Sequence, residues 1–146
     1  MQSSDELKSQ LRKLFDASVP NAADYNLVYS TSVKQKNYLL FQRTIVSSHL
    51  VGYRRDPAEL VVLPFDVENL ASAGTPTVVN AQNKKSNKRS LQGYRVVQTT
   101  DGEKFALGVF PGGLPKALAM LMDAMYQLPI EQKADAEDFQ EFIKNF

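Results

Sequence analysis

The sequence predicts an α+β domain: a leading helix, about seven antiparallel strands, a long helix and a short tail helix. Three observations carry this. Apolar residues recur at helical spacing near both ends, at Leu7, Leu11, Leu14 and Phe15 and again at Phe139, Phe142, Ile143 and Phe146. From Tyr25 to Phe110 the chain is rich in β-branched and aromatic residues, and its pattern shifts toward a period of two. Asp101-Gly102 is the strongest hairpin signal, because a two-residue type I′ turn needs positive φ at both centres.

Ser3 to Glu6 spells S-x-x-E, a capping box that satisfies free amide donors at a helix start. Pro20 and Asn21 close that helix, which spans residues 1–20. "YNLVYSTSV" puts Tyr25, Leu27, Tyr29, Thr31 and Val33 on one strand face, and "KQKN" reads as a turn. "YLLFQRTIVSSHLVGYRR" is too long for a typical strand, so it divides near residues 44–48 or bends there. "RRDPAE" turns the chain, and "ELVVLPF" is a nearly continuous apolar strand whose Pro64 belongs at an edge or an end. "DVENLASAGTP" holds a short helical turn and a loop; "TVVNAQ", "LQGYRVVQTT" and "EKFALGVF" are the remaining strands. After "PGGLP", residues 116–128 form a helix apolar around most of its circumference, one to be covered on more than one side. Pro129 stops it, and residues 131–146 form an acidic, Phe-rich tail helix.

A chain of 146 residues is long enough for one domain with its own core, and no linker or repeat divides it. Its net charge is +1, and without Lys84, Lys85, Lys88 and Arg89 it would be +1 − 4 = −3, so its basic character is local. With no cysteine, disulfide and thiolate chemistry are excluded, and the single His49 argues against an ordinary zinc site; no cofactor is expected. "MQSSDELKSQL" has no apolar signal region and no run reaches membrane-spanning length. The expectation is a cytoplasmic protein.

Strands followed by one long apolar helix, with "YLLFQRTIVSSHLV", "ELVVLPFDVENL" and "GYRVVQTTDGEKFALGVF" ahead of "LPKALAMLMDAMYQL", give a chain that resembles bacterial pleckstrin-homology (PH)-like proteins over residues 25–128. The resemblance implies two nearly orthogonal sheets forming an open β-barrel of about seven strands. The C-terminal helix, through Leu118, Leu121, Met125 and Leu128, would cap one end. Two features depart from it. There is no tryptophan, and Phe41 stands where a second basic residue of the phosphate motif would fall, after Lys34 and Lys36 and before Arg43. Inositol-lipid recognition is therefore not carried over.

The candidate sites are surface clusters. Lys84, Lys85, Lys88 and Arg89 lie in "NKKSNKRS", read as a basic hairpin loop that either grips phosphates or is simply solvated. Lys34, Lys36, Arg43, Arg54 and Arg55 are candidates for a second anion-binding face near the first two turns. "FPGGLPK" lacks the spacing of a phosphate-binding loop and reads as a turn. His49 beside Ser47 and Ser48 has no nucleophile elbow and no assigned acid, so no catalytic residue is expected. Phe139, Phe142, Ile143 and Phe146 either fold back onto the domain or form an interface with another chain, as in a dimer. The expected function is a non-enzymatic binding or scaffold module with a protein partner or self-association. Peripheral binding to anionic lipid or nucleic acid through residues 84–89 is the second reading, and an enzyme is the third.

Overall fold

The computed structural model describes residues 4–37, 39–91, 93–110 and 130–146. The helix expected over 116–128, the "PGGLPK" turn and Ser3 of the capping box lie outside the described residues. The elements are α1 (Ser4–Ser18), a 3-10 turn (Ala22–Asp24), β1 (Asn26–Asn37), β2 (Gln42–Arg55), β3 (Ala58–Asp66), β4 (Ala71–Ser72), β5 (Thr77–Asn80), β6 (Lys84–Arg89), β7 (Arg95–Thr99), β8 (Lys104–Leu107) and α2 (Lys133–Asn145). The protein is thus α+β, with two antiparallel sheets and a helix near each end of the chain. Leu7, Leu11 and Phe15 are the buried stripe of α1, as their spacing requires. Asn21 adopts a left-handed conformation (φ 57°) and turns the chain into β1.

In the first sheet β1, β2 and β3 pair in order, and β3 also pairs with β5 and with the short β4. Its two faces are both apolar. The row Tyr29, Leu50, Leu63 packs with Leu7, Leu11 and Phe15 beneath α1. The adjacent row Val28, Val51, Val62 points the other way, into a second cluster with Tyr53, Leu60 and Val79. A sheet covered on both faces needs strands apolar on both faces, which accounts for the unbroken run in "ELVVLPF". Pro64 sits where the ladder between β2 and β3 ends, as its missing amide donor leads one to expect. It falls between the β5 ladder, which ends at Val62, and the β4 ladder, which begins at Phe65, so its missing donor interrupts neither. Gly52 leaves room for α1: a Cβ there would lie 2.4 Å from Cζ of buried Phe15.

The second sheet is β6-β7-β8. The Asp101-Gly102 hairpin forms, with a different turn from the expected two-residue one. Gly102 N–H donates to Thr99 O (3.1 Å), Thr99 N–H donates to Glu103 O (2.9 Å), and only Gly102 has positive φ (94°). Three residues therefore connect the strands, with glycine in the left-handed position. The sheets meet at one side without a shared ladder. Thr31 N–H donates to Gly108 O (2.9 Å), and Gly108 N–H donates to Ser30 Oγ (3.0 Å). Only glycine fits this crossing, since a Cβ on Gly108 would stand 2.1 Å from the Thr31 carbonyl oxygen.

Helix α2 lies over the second cluster. Phe139, Phe142 and Ile143 are buried there beside Tyr53, Val97 and Leu107, with the Phe139 and Tyr53 ring centroids 5.3 Å apart. Tyr53 O–H donates to Asp138 Oδ2 (2.7 Å), and Arg55 donates to both oxygens of that carboxylate (3.0 and 2.9 Å). Gln132, just before α2, acts as a strand surrogate: its amide accepts from Tyr29 N–H and donates to Tyr29 O, both at 2.9 Å. Tyr29, on the outer edge of β1, is thereby satisfied without a neighbouring strand.

Three expectations are corrected and one is narrowed. The sheets, with eight strands among the described residues, are not closed into a barrel. Residues 42–55 do not divide in two; they form one 14-residue strand, in keeping with the other alternative. "KQKN" belongs to β1, and the turn lies beyond it. The basic stretch Lys84–Arg89 is a strand, not a loop, because Ser86, Asn87, Lys88 and Arg89 pair in register with Gln98, Val97, Val96 and Arg95.

Candidate functional site

The sequence-predicted cations do not converge. Arg54 pairs with Glu59 and Asp24, and its guanidinium lies 5.0 Å from the Tyr25 ring centroid. Arg55 is held by Asp138; that bond, with the one from Tyr53, keeps the Asp138 carboxyl below its ordinary pKa. Because β2 is a single strand, Arg54 and Arg55 sit at its far end from Arg43, roughly 35 Å away along the chain. They cannot share a face with Lys34, Lys36 and Arg43.

The run Lys84–Arg89 is divided by the strand itself. Lys84 donates to the Phe146 carbonyl and lies 4.7 Å from the Phe146 ring centroid. Asn87, opposite fully buried Val97, faces the core side and donates to Ile143 O (2.8 Å). Lys88 points outward and is exposed, and Lys85 is exposed at the bulge between Lys84 and Ser86. β6 is the edge of its sheet, where lysines discourage pairing with another chain's strand. That is a sufficient physical reason for the basic composition.

Phe139, Phe142 and Ile143 are buried within the chain, and Phe146 is half-buried against them. This face is occupied by the core. His49 lies on β2 opposite Ser30 and Pro64, its ring edge-on to Phe105 with centroids 6.0 Å apart. Burial lowers its pKa, and its buried Nδ1 has no hydrogen-bond partner. The Ser48 hydroxyl accepts from Tyr29 O–H at 3.3 Å. Among the described residues no group of three His, Asp or Glu side chains could hold a metal. A cavity of about 350 Å³ opens between α1 and β1, but its charged groups are engaged: Arg12 with the Tyr25 carbonyl (2.7 Å) and Asp16 (3.1 Å), Lys8 with Asp135 (4.0 Å).

The surface feature that stands apart is a pair of apolar hairpin tips. Beyond His49↔Pro64, β3 no longer accompanies β2, and β1 and β2 continue as a two-stranded ribbon to Asn37↔Gln42. At its tip Leu39 is 99% exposed, Leu40 90% and Phe41 62%. The β6–β7 hairpin carries a second tip. Ser90 and Tyr94 close it, Ser90 N–H donating to Tyr94 O at 2.8 Å, and Leu91 is fully exposed. The tips belong to the same end of the molecule: Tyr94 O–H accepts from Val33 N–H (2.9 Å) at the root of the ribbon. The turns after β5 and β7 meet at the other end, where Thr100 N–H donates to Asn83 O at 2.8 Å.

Each tip has a cation pair at its base. Lys36 stands opposite Arg43 in the first ladder, and Arg89 opposite Arg95 in the second. Sequence reasoning missed this site because "YLLF" is apolar, and apolar residues are read as buried by default. The signal was there: taking residues 38–41 as the turn sets Lys36 against Arg43 and leaves Leu39 and Leu40 nothing to pack on.

No described helix is long and apolar enough to cross a membrane. No family model, curated protein or solved structure matches the chain.

Proposed function

We propose that this chain is a non-enzymatic binding module of PH-like architecture, of the bacterial type. The strand order supports the architecture. β1-β2-β3-β5 and β6-β7-β8 are two meandering sheets, β8 runs up to β1 at Gly108, and a helix covers the apolar side between them. In this reading α2 is the closing helix, through Phe139, Phe142 and Ile143, in the role that the resemblance assigned to Leu118, Leu121, Met125 and Leu128.

The observation that carries binding is the pair of apolar tips at one end, Leu39, Leu40 and Phe41 with Leu91. Exposed apolar clusters on a folded domain mark contact surfaces, because leaving them in water is unfavourable by about 25 cal/mol per Å². The reading gives no catalytic role to the lone His49, whose buried Nδ1 has no hydrogen-bond partner. Protein partners and self-association remain within this reading; recognition of an inositol lipid is not part of it.

The test is site-specific photo-crosslinking in cells, with the probe at Phe41, at Leu91, or at Gln82 in the β5–β6 turn. Adducts to protein or lipid are expected from positions 41 and 91 and not from 82. Adducts absent from both tips, or equally abundant from 82, would refute the reading.

A further inference from the structure

We propose that the cavity between α1 and the outer edge of β1 is a binding site for a short peptide segment, in which one neutral, apolar residue is held in extended form between its two peptide groups. The site lies at the opposite end of β1 from its hairpin tip and does not depend on the surface described above.

β1 is the edge of the first sheet, and its residues alternate in the direction of their backbone groups. The odd-numbered residues turn theirs away from β2, as their bonds show. Tyr25 N–H donates to Ala22 O (3.1 Å), and Tyr25 O accepts from Arg12 (2.7 Å). Both groups of Tyr29 are taken by the Gln132 amide, at 2.9 Å each. Thr31 N–H donates to Gly108 O, and Val33 N–H to the Tyr94 hydroxyl. Between Tyr25 and Tyr29 stands Leu27, which lines the cavity and whose N–H and C=O have no partner among the described residues.

An edge residue with both groups free can exchange two hydrogen bonds with one residue of an antiparallel segment laid beside it. Gln132 already makes this exchange two residues on, with a side-chain amide in the place of a strand. Because Tyr25 and Tyr29 are engaged, the pairing cannot extend in either direction. That selects one pairing residue and not a long added strand. The volume of about 350 Å³ agrees, since it lies at the lower end of the roughly 300–1,000 Å³ of small-ligand sites.

Directly opposed residues project to the same side of a sheet. Leu27 packs toward the cluster beneath α1, so the side chain of the bound residue points there too, where Leu11, Leu50 and Ile130 line the cavity. An apolar side chain fits that lining. The charges at the mouth are matched to each other, Lys8 with Asp135 (4.0 Å) and Arg12 with Asp16 (3.1 Å). Matched charges favour a neutral ligand over a phosphate or a free amino acid.

The probe is N-acetyl-leucine N′-methylamide, one leucine between two peptide groups, titrated into the isotope-labelled full chain. The Leu27 amide proton should shift downfield with a Kd of about 1 mM or tighter, and its hydrogen exchange should slow. The analogue methylated on the leucine nitrogen cannot donate to Leu27 O and should bind roughly tenfold more weakly. Ser9→Trp, on the exposed side of α1 at the cavity mouth, should block binding with an unchanged thermal midpoint. Leu27→Pro removes the outward N–H without costing a bond to β2 and should weaken binding as well. Lys13→Ala, exposed on α1 outside the cavity, should not.

No shift at Leu27 with the probe at about 10 mM, equal binding of the methylated analogue, or binding that survives Ser9→Trp overturns the site. So does a Leu27 amide already protected in the free chain, whether the protection fades on dilution, as a second copy requires, or persists, as an occupant from the same chain requires. Adducts from Phe41 should be unchanged by Ser9→Trp, so the tips and the cavity fail separately.

Discussion

Replacing Phe139 by alanine tests whether α2 closes this domain from within the same chain. Phe139 is completely buried, with its ring 5.3 Å from that of Tyr53 and 6.4 Å from that of Phe142. Removing the ring forfeits its transfer free energy and leaves a cavity between α2 and the first sheet, together about 3–5 kcal/mol. That is a large part of the roughly 5–15 kcal/mol that holds a domain folded. In urea denaturation the midpoint should fall with little change in slope, and the thermal midpoint should drop by roughly 10 °C or more. Phe146→Ala is the internal comparison: this ring is only half-buried and should cost about 1 kcal/mol. The wild-type midpoint should not depend on protein concentration, because the partner surface is in the same chain. A Phe139→Ala loss below about 1 kcal/mol, or a midpoint that climbs with concentration, would show α2 docked elsewhere.

Two further outcomes follow from particular contacts. Gly108→Ala places a Cβ 2.1 Å from the Thr31 carbonyl, backbone against backbone, so the junction between β8 and β1 must open. The expected loss is at least about 2 kcal/mol, with faster hydrogen exchange at the Thr31 amide; a neutral variant with a protected Thr31 would contradict the crossing. His49 gives a pH dependence. Burial holds its folded-state pKa below the ordinary 6.5, so the unfolded chain binds the proton more readily. Stability should therefore be complete above that value and decline as pH falls below it. Asp138, whose carboxyl is depressed by Arg55 and Tyr53, contributes stability that is lost lower, below the ordinary 3.8. Melting between pH 7.5 and 5 consequently isolates the histidine. The decline should be shallower in His49→Gln, and parallel curves would exclude His49 as its source.

The sequence by itself determined the elements whose periodicity is local. Leu7, Leu11 and Phe15 fixed one face of α1, Phe139, Phe142 and Ile143 fixed one face of α2, and Asp101-Gly102 marked a true hairpin. Side-chain spacing along a few turns is enough for these, because the same residues define both the element and its buried side. Only the tertiary structure decided where charges and apolar residues ended up. Strand pairing set Arg54 and Arg55 at the opposite end of β2 from Arg43, and alternation along β6 scattered the run Lys84–Arg89 over two faces and a bulge. Register between distant segments also left Leu39, Leu40 and Leu91 bare. Whether an apolar residue is core or contact surface depends on what the rest of the chain brings against it. Here β3 ends at Asp66, and its ladder with β2 ends at Pro64 opposite His49, before the ribbon does, so nothing in β3 covers the tip.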